Sequence, residues 1–307
     1  LPAGSSRCLG SVQMKLGIAE QNGRKFVAAQ KDQSVYDLSA VAGTRDLREI
    51  ISGWNALKAN FESSITNAPA IDGAAVRWQS PLPNPPKFLL VAANYRAHIV
   101  EVGFAPVFEG VLTPQFFMKP NTTIIGPEDD ISLVSNNIGL DYEAELAVVI
   151  GKTCSHASLE EASAAVWGYT VVNDVSERKL NKNLEGRSLR QNDDFYDWLV
   201  GKWFDKATPV GPWVVTADEI EKVDDLMIRS RLNGKTVQEA PASAMIHNIS
   251  QLIQYISNVV TLEPGDVIAT GTPAGVGMAT GRLLQNGDLI ECEIDQIGTL
   301  KNRVRAV

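Results

Sequence analysis

The segment DYEAELAVVIG, residues 141–151, constrains this chain more than any other, because it puts two carboxylates into a run otherwise built like a core β-strand. Side chains alternate along a strand, so Tyr142, Ala144, Leu146 and Val148 share one face and Glu143 and Glu145 the other, roughly 7 Å apart. Carboxylates that close repel unless something positive lies between them. A second apolar run, GYTVVNDVSER, follows and delivers Asp174 at its end. Three such oxygens are the hard ligands that Mg²⁺, Mn²⁺ or Ca²⁺ prefer. Taken alone, E-x-E is more simply read as solvated glutamates on an edge strand.

The remaining composition narrows the setting. The chain has 307 residues, 44% of them hydrophobic and 21% charged, enough to bury a large core. Its 28 basic and 36 acidic residues give a net charge of −8, with no basic stripe, so nucleic acid is not an expected partner. No apolar stretch approaches the roughly twenty residues of a membrane span. Cys8, Cys154 and Cys292 are too scattered for a disulfide framework or a zinc site, which suits a reducing compartment, and the chain reads as cytoplasmic. The opening LPAGSSRCLGSVQ, residues 1–13, resembles an expression linker rather than a signal peptide or a folded element.

From Met14, MKLGIAEQNGRKFVAAQ reads as strand, Asn22-Gly23 turn and strand. Leu47, Ile50, Ile51, Trp54, Leu57 and Phe61 then recur at helical spacing, predicting one amphipathic helix. SPLPNPPKF, with four prolines in nine residues, marks a boundary near Pro81–Pro86. The expected organisation is a small N-terminal domain over 14–80 and a catalytic domain over 81–307. Beyond the boundary, KFLLVAANY, PQFFMKP, LDYEAELAVVIG, WGYTVVND, GPWVVT, LMIRSRLNGK, DVIATGTP and DLIECEID are short strand patterns, interrupted by helices in SLEEASAAVW and NISQLIQYISNVV. The class is α+β, dominated by β.

Few residues can carry chemistry. His98, in NYRAHIVEVG, has Glu101 three positions on, so a short helix puts both on one face. A neutral imidazole bonded to a carboxylate is a general base able to activate water, although a structural histidine satisfies the same pattern. Lys202, set among apolar and aromatic residues in LVGKWFDKATPVGPW, is either a surface lysine or a cation reaching an anionic substrate oxygen. Arg178 is placed to fork onto a substrate carboxylate or to make a plain surface ion pair. ATGTPAGVG lacks the spacing of a phosphate loop or a dinucleotide fingerprint; Thr272 within it can instead present donors to a small carboxylate.

In order, NYRAHIVE, FFMKP, DYEAELAVVIG, VVNDVSER, GKWFD, GPW and GDVIATGTPAGVG resemble the fumarylacetoacetate hydrolase family over essentially all of residues 88–307. The resemblance implies a mixed β-sandwich roll, a homodimer, and Mg²⁺ or Mn²⁺ held by Glu143, Glu145 and Asp174. It implies a His98–Glu101 dyad that activates water, an oxyanion-binding Lys202, and substrate contacts from Thr272, Arg178 and Asn181, the last at a position where many relatives have Gln. The segment 182–200 is longer than in many relatives and is expected to shape the pocket.

The implied activity is hydrolysis of a C–C bond in an acylpyruvate or related 1,3-dicarbonyl 2-oxo acid, within aromatic-compound catabolism. Decarboxylation, isomerisation or hydration of a related 2-oxo or 2-hydroxymuconate-type acid is the alternative, since such relatives share the metal triad.

Overall fold

A computed structural model of the chain describes residues 14–103, 112–133, 139–182 and 184–307; the linker-like segment 1–13 lies outside the described residues. Strands β1 (Lys15–Gln21) and β2 (Arg24–Lys31) form the expected hairpin. Asn22 and Gly23 at its turn both have positive φ, 52° and 77°, as a two-residue turn matched to strand twist requires. β3 (Ser34–Asp37) extends the sheet on the outer side of β2.

The single helix predicted after β3 is two helices, α1 (Leu47–Ser52) and α2 (Trp54–Asn67), parted at Gly53. The apolar positions are buried as expected at Leu47, Ile50, Ile51 and Phe61, but Gly53 adopts ψ near 7° and turns the second helix away from the first. The helices part here at negative φ, a backbone that other residues also adopt.

The later elements that matter for the site are β4 (Phe88–Ala92), α3 (Arg96–Glu101), β5 (Gln115–Met118), β6 (Ala144–Ile150), α4 (Leu159–Ala164), β7 (Val166–Asn173), α5 (Asp193–Val200), β8 (Thr208–Thr216), β9 (Met227–Leu232), β10 (Lys235–Pro241), α6 (Ile249–Ser257), β11 (Val267–Ala269), β12 (Leu289–Ile294) and β13 (Gly298–Ala306). The large mixed sheet runs β3-β2-β1-β8-β7-β6-β11-β4-β5 through its centre, and a smaller sheet runs β10-β9-β12-β13. β1 pairs with β8 at Leu16↔Val214, so the opening segment and the later strands share one sheet.

β6 is covered on both faces, which is why it reads as an almost unbroken apolar run. Leu146, Val148 and Ile150 enter the core between the two sheets, joined by Ile228, Ile290 and the Leu252, Ile253 and Ile256 face of α6. Ala147 and Val149 face the other way, into a core shared with Leu16, Ile51 and Phe61. Burying each of the larger side chains stabilises the strand by about 1.5–3 kcal/mol. The edge-strand reading of Glu143 and Glu145 is therefore corrected, because β6 is bonded on one side to β7 and on the other to β11.

The expected strand over residues 140–150 is also interrupted. Leu140–Asp141 pairs with Ser176–Glu177, and Tyr142 and Glu143 leave the ladder before β6 begins. Side chains take over the bonding there: the Glu143 amide donates to Asn173 Oδ1 at 2.9 Å and the Ala144 amide to Gln238 Oε1 at 3.1 Å.

Replacing Gly53 tests the helix break. A Cβ at Gly53 has its nearest neighbours, Glu49 O and Leu57 Cδ1, at 3.5 Å, and the backbone there has negative φ. Gly53→Ala is expected to stabilise the protein by about 0.4–1 kcal/mol through loss of unfolded-state entropy, read as a higher urea midpoint at unchanged slope; a lower midpoint shows that the bend needs glycine.

Candidate active site

The site forms where strand ends meet. β6 runs antiparallel to β7 and to β11, and β4 runs parallel to β11, so the start of β6 lies beside the ends of the other three. That rim collects Glu143 just before β6, Glu145 at its start, Asp174 just past β7, Thr272 past β11, and His98 on α3 past β4. Gly271 makes the approach possible: its φ is 94°, and a Cβ there would lie 2.9 Å from Asn94 Cβ. Asn94 clamps the same corner, donating to Thr270 O at 2.8 Å and to His247 O at 3.0 Å.

Glu143, Glu145 and Asp174 are all buried, and one carboxylate oxygen from each lies within 4.8 Å of the others. Two buried lysines and an arginine bracket them. Lys202 Nζ donates to Glu143 Oε2 at 2.8 Å and to Asp174 Oδ2 at 2.7 Å. Lys119 Nζ donates to Asp174 Oδ1 at 2.7 Å and to Val175 O at 3.2 Å. Arg178 donates from Nη2 to Glu143 Oε1 and from Nε to Asp141 Oδ2, the latter at 3.0 Å.

The environment drives the two glutamates apart. Burial alone lifts the Glu143 carboxyl, but the Lys202 and Arg178 cations outweigh it and hold that carboxyl well below the usual range. Glu145 is pushed strongly up, by burial first and then by Asp174 and Glu143. Its bonding is a single amide, Gly271 N to Oε2 at 2.9 Å, and it has no salt-bridge partner among the described residues. The lysines diverge too: burial lowers both, but Asp174 and Glu143 together raise Lys202, whereas Lys119 answers chiefly to Asp174 and is repelled by Lys202, so it stays lowered. An under-compensated hard oxygen beside two others is the charge pattern that a divalent cation neutralises, and the donor set fits one.

The second constellation faces this cluster across a cavity of about 470 Å³, lined by all three carboxylates, His98, Arg178, Lys202 and Thr272. His98 Nδ1 lies 2.8 Å from Glu101 Oε1, and Glu101 Oε2 accepts from the Gly275 amide at 2.8 Å. Glu101 is thereby fixed at both oxygens. Of the other expected substrate contacts, Thr272 lines the cavity but donates its hydroxyl hydrogen to Ala144 O at 2.9 Å and accepts from Gln238. Arg178 is held on both sides by carboxylates. Asn181 is not brought to the cavity; its amide donates to Asp197 Oδ1 at 3.0 Å.

Three contributions escape sequence reasoning at the level of roles. Lys119 lies in FFMKP, where a lysine between an apolar run and a proline carried the same signal as the glutamates: a charge in a core-like place. Asp141 anchors Arg178 and accepts from the Gly277 and Met278 amides. Phe195 and Trp198 of α5, within the lengthened segment, line the cavity beside Phe117.

Metal binding separates these roles. Mn²⁺ is expected to raise the Tm of the chelator-stripped protein, and Glu145→Gln to abolish both that rise and calorimetric Mn²⁺ binding. The metal-free variant is expected to be at least as stable as the parent, since like-charge repulsion is relieved. Retention of parental Mn²⁺ affinity overturns Glu145 as a ligand.

Comparison with known proteins agrees with this geometry. Residues 87–305 match the family model described as fumarylacetoacetate (FAA) hydrolase C-terminal. A 2,4-didehydro-3-deoxy-L-rhamnonate hydrolase of Sphingomonas sp. is 36% identical over 276 residues, covering 89% of each chain. A mitochondrial oxaloacetate tautomerase of Xenopus laevis is 35% identical over 292 residues, 94% of this chain and 86% of that one. Among solved structures, maleylpyruvate hydrolase from Sphingobium sp. SYK-6, in complex with manganese(II) and pyruvate, superposes with a TM-score of 0.78 at 28% identity, covering 95% of this chain and 99% of that one. With its fold, its carboxylate triad and a match over most of its length, the chain belongs to the fumarylacetoacetate hydrolase family.

Proposed function

We propose that the protein is a divalent-metal-dependent hydrolase that cleaves a C–C bond in an acylpyruvate or related 1,3-dicarbonyl 2-oxo acid, with Mg²⁺ or Mn²⁺ at Glu143, Glu145 and Asp174. The observation that carries the reading is the His98–Glu101 pair, fixed by the Gly275 amide and facing the carboxylate cluster. When bound, the cation supplies Lewis acidity to the 2-oxo acid end of the substrate. With its Nδ1–H directed to Glu101, His98 keeps the Nε2 lone pair for a proton.

The chain's own groups then account for the proton balance. His98 Nε2 takes a proton from water while the water oxygen bonds to the far carbonyl carbon. The C–C bond breaks with its electron pair staying on the pyruvate side, and the resulting enolate carbon takes the proton back from His98. A carboxylic acid and pyruvate leave. Lys202 gives two of its three hydrogens to Glu143 and Asp174 and keeps one for developing negative charge on substrate oxygen.

A second reading, a decarboxylase, isomerase or hydratase of a related 2-oxo or 2-hydroxymuconate-type acid, is supported by the likeness to an oxaloacetate tautomerase. In the isomerase case the same histidine moves a proton between carbon and oxygen without adding water; in the hydratase case it delivers water to a C=C bond. Incubating the Mn²⁺-loaded protein with acylpyruvates, oxaloacetate and 2-hydroxymuconate-type acids, with products identified by mass spectrometry, separates the two. Hydrolysis predicts pyruvate plus a carboxylic acid, and His98→Ala is expected to lower kcat by about 10²–10⁴ while Mn²⁺ affinity is unchanged. Loss of CO2 from oxaloacetate, gain of one water by a 2-hydroxymuconate-type acid, or an isomerisation at unchanged mass followed by ultraviolet absorbance, with every acylpyruvate intact, selects the second reading.

A further inference from the structure

The cavity is chemically two-sided. Every charged side chain that lines it belongs to the inner end: Glu143, Glu145 and Asp174 with Lys202 and Arg178. Both cations are already engaged by carboxylates. Away from that end the wall is built from Phe117, Phe195, Trp198, Ile99, Val102 and Met278.

The rings form one continuous surface. Trp198 stacks edge-on against Phe117 with centroids 5.1 Å apart and lies 5.8 Å from Phe195 at a tilt of 32°. Lys202 Nζ sits 5.6 Å from the Phe117 ring centre and 5.8 Å from that of Trp198, so the aromatic surface begins where the carboxylate cluster ends. At the outer end Phe195 is 55% exposed and Met278 46%, apolar side chains left facing the opening.

Among the described residues, Lys202 and Arg178 are the cations that line this cavity, and Lys182 borders the next hollow, which shares Trp198 and Met278 with it, so a tail ending in a second carboxylate meets no unpaired cation on the wall itself. On the far side of α5, Arg187 is paired with Asp197 and Arg190 with Asp193. Of the residues outside the described set, 104–111, 134–138 and 183 contain no Lys or Arg, and the opening 1–13 contains one, Arg7. Burying an unpaired carboxylate against rings and methyls is strongly unfavourable, whereas a neutral apolar group gains from the same contact. The volume, about 470 Å³, falls among sites that enclose ligands larger than a three-carbon acid.

We propose that Phe117, Trp198 and Phe195 form a tail subsite selecting substrates whose acyl group is neutral and apolar, preferentially a flat aromatic ring, over substrates with a carboxylate there. The inference rests on the hydrolase reading for the identity of the reaction, but not for the preference itself. Rings and Met278 offer an aromatic tail stacking and sulfur contacts that a short alkyl tail cannot match.

Two measurements test it. For turnover, kcat/KM of the Mn²⁺-loaded protein is compared for 2,4-dioxo-4-phenylbutanoate, 2,4-dioxopentanoate and fumarylpyruvate, whose tails are phenyl, methyl and carboxylate-bearing. The phenyl substrate is expected to exceed the carboxylate one by at least about tenfold, and Trp198→Ala to collapse the phenyl-to-methyl ratio. For binding without turnover, calorimetry compares phenylpyruvate with 2-oxoglutarate on the same Mn²⁺-loaded protein. Phenylpyruvate is expected to bind at least about tenfold tighter, and Phe195→Arg, at a half-exposed position, to shift the preference toward 2-oxoglutarate. If no acylpyruvate is cleaved but the binding preference holds, the hydrolase reading fails and the subsite stands. Equal affinities, tighter binding of 2-oxoglutarate, or no binding of phenylpyruvate overturns the subsite.

Discussion

The whole site depends on how buried negative charge is balanced. Four carboxylates, from Asp141, Glu143, Glu145 and Asp174, meet three cations, from Lys119, Lys202 and Arg178, in a region nearly closed to solvent. Isolated ions in such a place carry a desolvation cost of several kcal/mol each, so the cluster persists only because nearly every member has a partner at hydrogen-bond distance. The exception in charge is Glu145, which has the Gly271 amide but no cation paired with it among the described residues. That asymmetry makes the cluster a receptor for further positive charge rather than a closed salt-bridge network.

The sheet makes this arrangement affordable in structural terms. β6 is the middle of the large sheet, with cores on both faces, and its apolar length fixes its register. Once that register is set, the polar start of the strand has to emerge at the rim where β4, β7 and β11 end. The carboxylates therefore come from separate stretches of chain but are placed by one packing decision, and the aromatic wall is added by α5 together with Phe117 of β5. Carboxylates on strand ends, with much of the cavity wall carried by a neighbouring helix, let one vary without disturbing the other.

Much of this was legible in the sequence. The E-x-E pair, Asp174, His98 and Glu101 were visible because each is a charge or an imidazole in a place where composition made it conspicuous, and they do converge. The short strands, the hairpin and the helices α4 and α6 followed from period and turn chemistry. What could not be read was of another kind. Gly53 breaks a helix whose apolar spacing continues across it, because periodicity records which face is buried and not whether the axis is straight. Asn181 and Thr272 carried polar groups at suggestive positions, but their hydrogen bonds turn inward to Asp197 and to Ala144 and Gln238, and such partners are set by tertiary geometry. Lys119 stands in FFMKP with no local sign of its role, since nothing near it in sequence reveals that it meets Asp174, 55 positions away.

The bond from Gly275 to Glu101 reaches further than its length suggests. The residue that orients His98 is held by a backbone amide, in a loop where Gly275 has φ of 110° and where any Cβ would fall 1.9 Å from Val237 O. That loop is pressed against β10, the outer strand of the small sheet, so the small sheet is a buttress for the histidine that faces the carboxylate cluster. Packing changes along β10 act on the orientation of His98 without touching its ring.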